Sequence, residues 1–174
     1  NFVVQWGDPE EDEKKRRGFQ LAKQQLPAEF VRKSDGLAFT RLPDVDGWAQ
    51  HVGFVEGMPA AKNTVTNQAW LTHCYGMVGA GRGLEADSSN GSELYVVIGQ
   101  SPRQLDRNIT TVGRVVQGME LLSIMQRGTG PLGFYEKAEQ RTPIKSFRLM
   151  ADVAPEDRTA IEILTDDPGD LDRV

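Results

Sequence analysis

Residues 93–116 read ELYVVIGQSPRQLDRNITTVGRVV, and the two ends of this stretch are the chain's clearest strand signals. Glu93–Gly99 (ELYVVIG) and Thr110–Val116 (TTVGRVV) are rich in the branched and aromatic side chains that suit a pleated, half-buried surface. Between them, Ser101–Asn108 (SPRQLDRN) is a turn-rich connection. Further strands are expected at Phe2–Gln5, stopped by Gly7, Asp8 and Pro9, and at Gly36–Leu42, His51–Val55, Trp70–Val78 and Pro143–Met150. Gly57–Asn67 reads as a loop because of its Gly, Pro and Asn, and Gly79–Gly83 reads as a glycine-rich bend. Helical signals are fewer. Glu10–Arg17 (EEDEKKRR) suits a short, solvated surface helix, and Gly118–Arg127 turns Met119, Leu122 and Met125 to one side. Pro155–Leu164 can form one more helix. Several strands without regular βαβ alternation predict a mainly antiparallel β sheet or barrel.

Composition narrows the function classes. At 174 residues, 39 % apolar and 26 % charged, the chain can build one globular core and is not of disordered type. No apolar run approaches the ~20 residues that span a bilayer. The net charge of −5 is uneven: residues 151–174 hold 8 acidic and 2 basic side chains, which leaves residues 1–150 near neutral. Without a basic face there is nothing to release counterions from nucleic acid, so a nucleic-acid partner is not expected. The charge shift and Pro155 divide the chain into a domain over residues 1–152 and an acidic, partly helical extension over 153–174. The single cysteine, Cys74, permits no internal disulfide and marks no compartment. The opening NFVVQWGDP has neither the basic start nor the apolar stretch of a signal peptide, and no initiator Met. It reads as cut from something longer, with any signal peptide upstream, so periplasm and cytoplasm both stay open.

Chemistry-bearing motifs are sparse. Gly79 and Gly81 would need a third glycine where Leu84 stands to make a dinucleotide fingerprint, and a structural turn is the better reading. His73 and Cys74 are neighbours, and on a strand they would point to opposite faces, which argues against a thiol–imidazole pair. With His51 they have no ligand spacing, so no metal is expected. Ser92 in NGSEL lacks the G-x-S-x-G of a nucleophile elbow. A hydrolase or nucleotide-binding enzyme built on Ser92 or the glycine bend is therefore a remote alternative.

Two separated motifs in one order do carry a resemblance. Phe2-Val3-Val4-Gln5-Trp6-Gly7-Asp8 resembles the F-M-x-Q-G-G-D of the cyclophilin family. Asn90-Gly91-Ser92-Glu93-Leu94-Tyr95-Val96 resembles its N-G-S-Q-F-F-I. Leu105-Asp106, Val112-Gly113-Arg114-Val115 and Gly118-Met119 then follow as the family's Leu-Asp turn, V-F-G-x-V strand and helix start. Clear matches cover residues 2–8 and about 76–128; residues 9–75 match loosely. The resemblance implies an eight-stranded antiparallel barrel capped by helices, with its first two strands and first helix before Asn1. It implies a peptidyl-prolyl cis-trans isomerase that acts on X-Pro bonds of peptides and folding proteins without a cofactor. The family's catalytic arginine would also precede Asn1, so residues 1–174 alone are expected to turn over slowly. The alternative is a catalytically weak cyclophilin-like module that binds proline peptides or acts as a chaperone.

Residue by residue, the resemblance puts Phe2, Val3, Tyr95 and Leu105 in an apolar pocket for the proline ring. It makes Gln5 the catalytic amide that bonds the substrate backbone, and makes Ala80, Gly81 and Arg82 the strand that pairs with the peptide. Glu93 and Ile109 also belong to the implied binding site. Glu93 replaces the family's Gln, Tyr95 its Phe, Gln104 a frequent Trp and Ile109 a frequent His or Tyr. These departures predict lower activity or an altered preference beside the proline.

Overall fold

The computed structural model describes residues 2–8, 14, 15, 17–19 and 21–163. The helix expected over Glu10–Arg17 lies largely outside the described residues, as does the end of the acidic extension. Among the described residues, nine strands form two antiparallel sheets. They are β1 (Val3–Trp6), β2 (Arg32–Lys33), β3 (Thr40–Arg41), β4 (His51–Val55), β5 (Met58–Asn63), β6 (Gln68–Leu71), β7 (Met77–Ala80), β8 (Leu94–Val97) and β9 (Thr111–Arg114). One sheet runs β1-β8-β7-β9 and the other β2-β6-β5-β4-β3. The fold is mainly β, as expected, but among the described residues the sheets stay open at their edges and do not close into one barrel.

The loop expected at Gly57–Asn67 is instead mostly strand β5. Glu56 and Gly57, with φ of 51° and 71°, make the two-residue turn that joins β4 to β5. Pro59 stands near the start of β5, where its missing N–H costs little, and its carbonyl accepts the Thr72 amide. At the far end, Asn63 accepts the amides of Val65 and Thr66 and turns the chain into β6.

The strand expected over Trp70–Val78 is split. β6 ends at Leu71, residues 72–76 turn with Gly76 at φ 82°, and β7 starts at Met77. Of Gly36–Leu42 only Thr40–Arg41 is paired. The last strand expected at Pro143–Met150 has no partner strand among the described residues, and its Phe147 is 75 % exposed. The helix expected over Gly118–Arg127 is a five-residue α1 (Met119–Ser123). Beyond it the described residues hold only short 3-10 turns, one of them Pro155–Asp157. The core is Ala60, Ala61, Ala69, Trp70, Met77, Ala80, Tyr95, Val96, Val97 and Ile98. Two polar side chains, Thr72 and His73, are buried with it.

Candidate functional site

Register decides what stands beside what. β1 pairs with β8 so that Val3 faces Val97 and Gln5 faces Tyr95, and β7 brings Gly79 to the other side of Tyr95. Directly opposed residues share a sheet face, and every second residue along a strand returns to it. Val3, Gln5, Gly79, Tyr95 and Val97 therefore occupy one face. Glu93, two residues before Tyr95, continues that face: the Gln5 amide (Nε2) donates to Glu93 Oε2 at 3.1 Å. Gly81 borders it, since a Cβ there would lie 3.1 Å from the Glu93 Cβ, and the Gly81 amide donates to the Glu93 carbonyl. The Tyr95 ring lies over Gly79, where any side chain would collide with it.

Behind Tyr95 runs a buried polar chain. Tyr95 Oη and His73 Nε2 are 2.8 Å apart, and His73 Nδ1 is 3.0 Å from Asp106 Oδ1, which also accepts the His73 amide at 2.8 Å. Arg103 Nε donates to Asp106 Oδ2 at 2.6 Å, and its two terminal nitrogens grip Asp46 at 2.7 and 3.2 Å. A carboxylate only accepts, which assigns the Nδ1 proton to His73; in the neutral imidazole Nε2 then accepts the Tyr95 hydroxyl. Burial alone would raise the Asp106 pKa, but the bonds from His73 and Arg103 outweigh it and hold the carboxyl below its usual value. Asp46 is lowered in the same way by Arg103 and by the Trp48 amide. Burial, reinforced by the charge on Asp106, pushes the Tyr95 phenol well above its usual value.

A hydroxyl–imidazole–carboxylate sequence has the order of a nucleophile triad. Here the hydroxyl belongs to a residue 5 % exposed, the imidazole is 1 % exposed, and the raised phenol pKa opposes oxyanion formation. The chain fixes positions; it does not supply a nucleophile. It ties the Tyr95 ring to Asp106, the residue that ends the 3-10 turn Arg103–Leu105. Removing one member of a buried ionic group costs about 3–5 kcal/mol because its partner is left uncompensated.

The structure thus brings Val3, Gln5, Glu93 and Tyr95 to one face, and Leu105 precedes Asp106, which reaches Tyr95 through His73. Phe2 precedes β1, bonds its carbonyl to the Ile98 amide, and is 41 % exposed. Ala80 is buried on the opposite face, its amide held by the Thr110 carbonyl. Ile109 follows Leu105 and donates to its carbonyl. Arg82 turns to the neighbouring loops: its guanidinium bonds the Asn108 carbonyl and side chain and the carbonyls of Gly83 and Leu84. His73, Arg103 and Asp46 were not expected in the site. His73 lies in a turn, not on a strand, while Cys74 contacts Thr72 Oγ1 at 3.2 Å. Among the described residues there is no His, Cys, Asp and Glu group that could hold a metal, and no helix long and apolar enough to cross a membrane.

The family model described as cyclophilin type peptidyl-prolyl cis-trans isomerase/CLD matches residues 1–149. Among solved structures, the cyclophilin AquaCyp293 from Hirschia baltica is similar, with a TM-score of 0.69 and 23 % identity. The match covers 90 % of this chain and 59 % of that one, and it is a likeness of fold. No curated protein matches.

Proposed function

The chain belongs to the family of cyclophilin-type peptidyl-prolyl cis-trans isomerases, and we propose that it grips proline-containing segments of peptides or folding proteins on the Tyr95 face and speeds rotation of their X-Pro bonds. Rotation about that bond breaks amide resonance, at a barrier of ~18–20 kcal/mol. Catalysis then requires no nucleophile, metal or cofactor, only a site that binds the twisted amide better than either planar form. The Val3, Tyr95 and Leu105 side chains would hold the proline ring still while the chain on the far side of the bond turns. The Gln5 amide would fix the peptide backbone.

What carries this reading is the shared face of Val3, Gln5, Glu93 and Tyr95, with the Leu105 turn bound to it through His73 and Asp106. A second reading, a proline-peptide binding module of weak catalysis, is favoured by Arg82, whose side-chain donors are occupied by loop oxygens. NMR exchange spectroscopy on a prolyl peptide separates the two. Faster cis/trans exchange in the presence of the chain supports the isomerase. Binding without faster exchange fits the module and equally the slow turnover that the resemblance implies for residues 1–174, and absence of binding refutes both.

A further inference from the structure

On the candidate face, Glu93 is the acidic side chain that bonds Gln5, and it is exposed. Its carboxylate takes a hydrogen bond from a neutral amide, which offsets none of its charge. Among the described residues it makes no ion pair. The cation that follows Gly81, Arg82, directs its guanidinium at Asn108, Gly83 and Leu84. Two glycines flank the carboxylate's stem. A Cβ on Gly7 would meet the Glu93 Cγ at 2.7 Å, and one on Gly81 would meet its Cβ at 3.1 Å, so backbone without side chains leaves the carboxylate uncovered. The Gln5–Glu93 bond has a second effect. It orients the Gln5 amide, directing Nε2 at Glu93.

From this we infer that Glu93 is a specificity-determining residue: the site selects prolyl segments that carry Lys or Arg beside the proline, and disfavours those with Asp or Glu there. The inference rests on the prolyl-peptide reading above and names its substrate class. An exposed ion pair is a weak contact, so the preference is modest, about two- to five-fold in Kd at low salt, and it shrinks as salt shortens the reach of charge.

The test measures Kd of the chain for short blocked peptides that differ only in the residue before or after proline, as Lys, Ala or Glu. The expected order of affinity is Lys, then Ala, then Glu, at one or both positions. In Glu93→Gln the Lys/Glu ratio falls toward one, and in Glu93→Lys the order reverses, with thermal melts to establish that both variants are folded. A ratio near one in the unmodified chain, or a preference that survives Glu93→Lys, overturns the inference while peptide binding itself stands. If no prolyl peptide binds, the prolyl-peptide reading falls, and this inference with it.

Discussion

Tyr95→Phe removes one oxygen and leaves the ring. The family resemblance has Phe at this position, so a consensus argument would expect the change to be neutral or stabilising. The buried chain predicts the opposite sign. The hydroxyl is 2.8 Å from His73 Nε2, and His73 is 1 % exposed, so no water can replace the lost donor. The apolar burial of the ring hardly changes, which isolates the polar term. Leaving a buried acceptor unsatisfied costs about 1–3 kcal/mol. For a chain of this size that is a fall of roughly 2–12 °C in Tm. The assay is chemical denaturation of both forms with the slope compared, so that a change in midpoint reads as stability. In a His73→Phe background, the same substitution should become neutral or stabilising, because it then removes an orphaned hydroxyl. A cost below about 0.5 kcal/mol in the unmodified chain, within the range of ordinary surface changes, would refute the claim that His73 holds Tyr95. So would a cost that is unchanged in the His73→Phe background.

Gly79→Ala should destabilise by about 1–3 kcal/mol, since a Cβ there meets the Tyr95 ring; denaturation measures the loss, and prolyl-peptide affinity should fall as the ring is displaced. The chain should lose stability at acid pH in a way that Asp106→Asn flattens. Asp46 and Asp106 have folded pKa values below 3.8, so their stabilisation is complete above that value and lost as pH falls through the lower folded values. At the alkaline end the sign is reversed: the raised Tyr95 pKa gives stability that is complete below 10.0 and lost as pH rises beyond it. Denaturation midpoints against pH measure both limbs, and Tyr95→Phe should flatten only the second.

The strands at His51–Val55, Leu94–Val97 and Thr111–Arg114 are legible in sequence because composition and local pattern agree there. β5 is hidden because Gly57, Pro59 and Asn63 carry turn signals. In the structure Gly57 makes the hairpin turn, Pro59 sits near the strand's start and Asn63 ends it. Pro143–Met150 fails in the opposite direction: its composition suits a strand, but a strand exists only through a pairing partner. In the site, the alternation of Val3 with Gln5 and of Glu93 with Tyr95 can be read along the chain. What ties Tyr95 to Asp106 cannot. His73 and Asp106 are 33 residues apart, and Arg103 joins an aspartate 57 residues away. Only the fold brings these groups within hydrogen-bond reach. Adjacency to Cys74 is the one local clue at His73, and it says nothing of Tyr95 or Asp106.

The most direct measurement is an NMR titration of the chain with a prolyl peptide and with its Pro-to-Ala counterpart. Shifts should cluster at Val3, Gln5, Tyr95 and Leu105 for the prolyl peptide and be far smaller for the alanine control. Shifts that avoid these four residues, or that are equal for the two peptides, would contradict the prolyl-peptide reading.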